Sequence, residues 1–164
     1  PRIGLVCQLR NAGPRIASFI KYHITIGFER IYLYFDDGSE IEDADIAKLH
    51  GGNKVHVRFR DETLLNEWKL LRGYSKMAPF IHTDVQVRQM LNALHAFSIA
   101  QTTDSLDWLL HIDSDELFYP GNSITSIRPH FARLHARPNC AVFTYFNFEA
   151  VPECYIQNIN FFVD

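Results

Sequence analysis

Residues 106–120 read LDWLLHIDSDELFYP. Leu106, Trp108, Leu109, Leu110 and Ile112 form an apolar run broken only by Asp107 and His111. Near-continuous apolar character over so few residues predicts a strand buried on both faces. The run then gives way to Asp113-Ser114-Asp115-Glu116, three carboxylates in four positions. Carboxylates this close repel one another, and beside an apolar strand they are poorly solvated. A divalent cation relieves both penalties, and hard cations such as Mg2+ and Mn2+ prefer oxygen ligands. Open α/β sheets also place ligands where buried strands end. A solvated loop or helix cap is the plainer account of an isolated Asp-x-Asp. The apolar strand before it and Phe118-Tyr119-Pro120 after it shift the balance toward a site.

The totals bound the rest. A chain of 164 residues predicts one domain or a piece of one. An apolar share of 47% is enough for an ordinary core and argues against disorder. A net charge of −3 with no basic run gives no footprint for nucleic acid. Cys7, Cys140 and Cys154 form no CxxC pair, which argues against a thiolate metal site and leaves room for at most one Cys140–Cys154 bridge. Cys7, inside an apolar strand-like run, reads as a small core residue. No apolar run reaches membrane-spanning length and no signal peptide opens the chain. The chain begins at Pro1 and stops directly after Asn160-Phe161-Phe162-Val163, so the expectation is a piece cut from a longer protein.

Taken in order, residues 3–9 (IGLVCQL) predict a buried first strand. Turn residues at 10–14 lead into a helix over 14–26, with Ile16, Phe19, Ile20, His23 and Ile24 on one face and Gly27 as its C-cap. Residues 30–35 (RIYLYF) predict a second strand ending in Asp36-Asp37-Gly38-Ser39. A short helix over 43–49, closed by Gly51-Gly52, precedes a third strand over 55–59. Residues 60–83 hold no sustained period and predict a long ordered loop with one helical turn, a kind of loop that is often functional. Asp84 caps a helix to about residue 101, with Val87, Leu91, Leu94, Ala96, Phe97 and Ile99 inward. After the acidic stretch, Ser123 caps a helix to about residue 136 that Pro129 disturbs, and residues 141–148 (AVFTYFNF) predict a further strand. This alternation is that of a wound, mostly parallel α/β sheet.

Arg10-Asn11 after the first strand, Asp36-Asp37-Gly38-Ser39 after the second and Asp113-Ser114-Asp115 after the fourth together resemble the GT-A fold glycosyltransferases. The Asp-Asp-Gly-Ser segment and the Arg88/Asn92 pair resemble family 2. Closer still is the likeness to glycosyltransferase family 92 and its relatives. It rests on Phe19-Ile20-Lys21-Tyr22-His23 with Gly27, on Ile31-Tyr32-Leu33-Tyr34, on Arg88-Gln89, and on Trp108 before His111-Ile112-Asp113-Ser114-Asp115-Glu116-Leu117. The resemblance covers most of residues 3–120 and weakens beyond, where Phe146-Asn147-Phe148-Glu149 resembles the start of the acceptor side. Arg10-Asn11-Ala12 lacks the acid that often follows Arg-Asn in these enzymes.

The resemblance implies a single glycosyltransferase domain with a Rossmann-like, mostly parallel sheet flanked by helices. Residues 1–120 would bind the nucleotide-sugar, and 121–164 would begin an acceptor half that is otherwise missing. It implies metal-dependent, inverting transfer from a nucleotide-sugar, UDP-sugar first, to a hydroxyl of a glycan, lipid or protein. Asp115 would bind Mn2+ or Mg2+ directly, and Asp113 would contact ribose or the metal through water. Asp36 and Asp37 would hydrogen-bond base or ribose, or simply form an Asp-Gly turn. Arg10, with Asn11, would meet ribose or phosphate. Arg88 would pair with phosphate, with Asp113, or in a structural ion pair, and Asn92 lies one turn along on the same side. Glu116 would orient a neighbour or start the next turn. Glu149 is the candidate base, chosen only for its place in a strand-end loop. His111 and His23 read as structural histidines, and Trp108 and the 143–148 aromatics as core. Two other classes stay open: a metal-dependent nucleotidyltransferase, which needs a Gly-rich phosphate loop, and a non-catalytic sugar-binding module. A Golgi or membrane-anchored protein, anchored through flanking sequence, and a cytoplasmic one both fit, and the absence of an Asn-x-Ser/Thr acceptor fits either.

Overall fold

The apolar run at the start of the chain forms β1, Ile3–Leu9, and every residue of it is buried. A strand takes that pattern when layers cover both its faces. The computed structural model describes residues 1–119 and 126–135. β1 is followed by α1 (Arg15–Ile26), which ends at Gly27 with φ 116°, a left-handed position that favours glycine. Then come β2 (Arg30–Phe35), α2 (Ile41–Gly51), a 3-10 turn (Gly52–Lys54) and β3 (Val55–Phe59). Two short helices, α3 (Glu62–Trp68) and α4 (Tyr74–Met77), lead to the long α5 (Val85–Thr102), then β4 (Trp108–His111) and α6 (Arg128–His135). The four strands are parallel in the order β3-β2-β1-β4. The fold is a Rossmann-like α/β sheet flanked by helices.

Strand alternation divides the interior in two. Ile3, Leu5, Cys7 and Leu9 of β1, with Ile31, Leu33 and Phe35 of β2, pack against Ile16, Phe19 and Ile20 of α1 and Ala44 and Ala47 of α2. Val6, Tyr32 and Tyr34 on the other face meet Leu64 and Trp68 of α3, Ile81, and Leu91, Ala96 and Ala100 of α5. A side chain at Gly4 would collide with Leu106, so glycine there admits the segment leading into β4.

The first three strands fall where the sequence places them; four other expectations need correction. Residues 60–83 are mostly helical rather than a loop with one turn. Asp61 caps α3 by accepting the Leu64 N–H at 2.9 Å, and Gly73 at φ 86° restarts the chain into α4. Helices of seven and four residues are too short to show a period in any sequence window. The strand of the acidic stretch is shorter and less covered than its apolar run suggests. Trp108 and Leu109 are half-buried and His111 is exposed, because β4 is the edge strand among the described residues. The His111 side chain is exposed and has no hydrogen-bond partner among the described residues. On α5, Leu94 and Phe97 face solvent, and the inner side carries Arg88, Asn92 and His95 among its apolar residues. The last described helix begins at Arg128, with Pro129 in its first turn, where proline is tolerated. Ser123, strand 141–148 and Glu149 lie outside the described residues.

Candidate functional site

Parallel strands bring their carboxyl ends to one edge. Leu9, Phe35 and Phe59 are successive register partners. The Ile112 N–H reaches the Val6 carbonyl at 3.2 Å, which sets Asp113 at the same edge. Four loops therefore meet there: residues 10–13, 36–40, 60–61 and 113–116. Such an edge is where doubly wound sheets hold ligands.

In the loop after β2, two adjacent aspartates have separate environments. Asp36 is 7% exposed. Arg88 donates from Nε to Oδ1 at 2.8 Å and from Nη2 to Oδ2 at 2.9 Å, a two-point guanidinium–carboxylate clamp. Arg60 adds a third contact, with Nε 3.1 Å from Oδ1. Asp37 is exposed, and the Ser39 N–H bonded to it at 2.9 Å pulls its carboxyl below the usual range.

The loop after β1 is stitched to α2 by carboxylates. Asn11 N–H donates to Glu40 Oε2 at 2.9 Å, and Gly13 N–H donates to Asp43 Oδ2 at 2.8 Å. Asn11 at φ 53° and Gly13 at φ 58° point these N–H groups that way. Burial raises the Glu40 carboxyl, and the Asn11 N–H opposes the rise. Arg10 is exposed, and with Asn11, Arg15 and Ser114 it lines a crevice between this loop and the acidic turn.

The acidic turn after β4 is closed on itself. Asp113 N–H donates to Glu116 Oε2 at 2.9 Å, and Glu116 N–H returns to the Asp113 carbonyl at 3.1 Å. Gln89 Nε2 of α5 donates to Asp113 Oδ1 at 3.0 Å. Asp115 is exposed and makes no hydrogen bond or ion pair with the described residues. Downstream, Tyr22 Oη donates to the Phe118 carbonyl at 3.0 Å, and Phe118 N–H donates to His23 Nε2 at 3.5 Å. His23 Nδ1 lies 2.8 Å from the Phe19 carbonyl. Burial lowers the His23 pKa to about 4, so the ring is neutral and its Nε2 is free to accept. Burial also pushes the Cys7 thiol up, and Asp113, Asp115 and Glu116 push it the same way.

Beneath α5 runs a row of buried polar pairs. Asn92 Nδ2 donates to Gln8 Oε1 at 2.8 Å, while its Oδ1 is buried without a partner among the described residues. Tyr34 Oη lies 2.7 Å from His95 Nδ1, and Tyr32 Oη donates to Asp104 at 2.6 Å.

Against known proteins, no family model matches the chain. No solved structure matches it. A curated protein of Arabidopsis thaliana named glycosyltransferase-like is 28% identical over 160 residues, covering 93% of this chain. The chain spans 35% of that relative's length. The relationship supported is glycosyltransferase-like.

The structure gathers Arg10, Asn11, Asp36, Asp37, Asp113 and Asp115 on one edge, and sets Arg88 and Asn92 behind it. Of the options open for Arg88, the structure shows the structural ion pair, made with Asp36. Glu116 serves the turn itself. Sequence reasoning missed Gln89 as a contact of Asp113, and Glu40 and Asp43 as the clasp of the first loop. Gln8, a polar residue in an apolar strand, was the visible signal of the row beneath α5. As to a metal, no cluster of three His, Cys, Asp or Glu side chains suited to hold an ion occurs among the described residues. Asp113 and Asp115 offer oxygen alone, which suits Mg2+ or Mn2+. Such ions take one or two carboxylates and complete their shells with phosphate and water.

Proposed function

We propose that this chain is the nucleotide-sugar-binding part of a metal-dependent glycosyltransferase of the GT-A kind, with a UDP-sugar as donor. The observation that carries the reading is Asp115. It is an exposed carboxylate without a partner among the described residues, on a turn held to the carboxyl edge of a parallel sheet. Its neighbour Asp113 is tied by a neutral amide and keeps its charge. Asp113 and Asp115 would hold Mn2+ or Mg2+, which when bound supplies Lewis-acid compensation for a departing diphosphate.

The chain's own residues do the rest. Asp37, exposed where Asp36 is clamped, is the carboxylate of its loop left to accept from uracil N–H or ribose hydroxyls. Arg10 offers a guanidinium beside the crevice that no described residue pairs with. Asn92 keeps a buried acceptor, Oδ1, unfilled among the described residues. Transfer with inversion and Glu149 as base complete the reading as implied by resemblance. The nucleotidyltransferase alternative needs free N–H groups in the first loop, and Glu40 and Asp43 already occupy two of them.

The test is calorimetric titration with UDP, alone, with Mn2+ and then with EDTA, on the wild-type chain and on Asp115→Ala. The expected result is UDP binding that requires Mn2+ and disappears in Asp115→Ala. Binding that persists in EDTA and in the variant removes Asp115 from the metal role. No binding of UDP by the folded chain overturns the donor assignment.

A further inference from the structure

We infer that Gln89 is a positioning residue, holding the Asp113 carboxylate against the sheet edge without neutralising it. This rests on the metal–nucleotide reading of the acidic turn for its consequence, though not for its geometry.

Two links lie within the turn, the Asp113 N–H to the Glu116 carboxylate and the Glu116 N–H to the Asp113 carbonyl. They fix its shape, and the Ile112 N–H on the Val6 carbonyl holds its start at the sheet edge without orienting the Asp113 side chain. Tyr22 and His23 pin the chain at Phe118, five residues after Asp113. Among the described residues, the hydrogen bond from Gln89 Nε2 to Asp113 Oδ1 ties an acidic side chain of the turn to the helical layer. The support is rigid. Asp84 caps α5, accepting the Gln86 N–H at 2.8 Å, and the adjacent Arg88 is locked to Asp36. Asn92, one turn on, is bonded to Gln8 of β1. Gln89 therefore reaches Asp113 from a backbone fixed on both sides.

The choice of donor has a chemical meaning. Successive residues of α5 serve carboxylates at two strand ends, and they differ in charge. Arg88 cancels the charge of buried Asp36. Gln89 presents a neutral N–H to exposed Asp113, orients it, and leaves the full negative charge available to a cation. It bonds one oxygen and leaves Oδ2 open. Orientation of a metal-ligating carboxylate by an outer hydrogen bond is worth about 10–100-fold in metal affinity.

Two variants separate this role from packing. Gln89→Met keeps the length of the side chain and removes the donor. Gln89→Lys restores a donor and adds a charge. In hydrogen exchange on the metal-free chain, Gln89→Met should speed exchange at residues 113–116 and leave the interior of α5 unchanged, and Gln89→Lys should restore protection. In titration with Mn2+ plus UDP, Gln89→Met should bind about 10–100-fold more weakly, and Gln89→Lys should not recover that loss. Wild-type exchange at 113–116 in Gln89→Met overturns the inference. So does wild-type Mn2+–UDP affinity in that variant. If the wild-type chain fails to bind Mn2+–UDP while exchange responds as expected, the positioning role stands and the metal–nucleotide reading falls.

Discussion

Asp36 and Asp113 begin the loops after two parallel strands, yet one is closed and the other open. Asp36 lies on a central strand under α5, reached by Arg88 and Arg60, and is nearly without solvent. Asp113 lies beyond the edge strand, exposed, with one neutral amide against it. The same residue type in the same topological place is thus locked into the architecture in one loop and left exposed to solvent in the other. Sheet position decides which. A carboxylate over the centre of a sheet cannot keep its charge without a paired cation, whereas one at the rim is supported by water.

That contrast can be broken most directly at Arg88. Arg88→Ala leaves Asp36 buried with only Arg60 for a partner, and should cost about 3–5 kcal/mol in denaturant unfolding. A loss under about 1 kcal/mol would mean that Asp36 is not a structural charge. Acid should act next, and through the other loop. The folded pKa of His23, about 4, lies below its ordinary 6.5. Between these values the unfolded chain binds the extra proton, so stability present above pH 6.5 is lost as pH falls toward 4. At about 1.4 kcal/mol per unit, the loss has a ceiling of about 3 kcal/mol. A protonated Nε2 no longer accepts from Phe118, so exchange at residues 113–118 should rise before exchange at the Asp36 loop. His23→Gln should flatten the pH slope, and an unchanged slope would assign the acid sensitivity elsewhere. The smallest effect belongs to Asp115. With no partner among the described residues to lose, Asp115→Asn should change stability by less than about 0.5 kcal/mol. A larger loss would make Asp115 a structural residue and close the contrast between the two loops.

The β1, β2 and β3 strands were legible because each is a short apolar run bounded by turn residues, and Gly27 and Asp84 marked helix ends by chemistry that needs no partner. The two strand-end aspartate loops were legible for the same reason. Which aspartate was free was not. Arg88 stands 52 positions from Asp36 and Gln89 24 from Asp113, and no local pattern states such pairings. The inward face of α5 was misread because its hydrophobic residues were taken as the buried ones. The opposing sheet face presents Gln8, Tyr34 and Asp36, so polar residues of α5 turn inward and Leu94 and Phe97 turn out. Residues 60–83 escaped because helices so short leave no period to count.

One feature of the first loop bears on how the molecule meets small anions. The N–H groups of Asn11 and Gly13 are occupied by Glu40 and Asp43, which the same chain carries. These carboxylates are tethered competitors, present at an effective concentration on the order of millimolar or more. Inorganic phosphate or sulfate at lower concentration meets a loop already saturated, and is left to the arginines beside it. At Asn11 and Gly13 the first loop therefore offers a free anion no vacant N–H group.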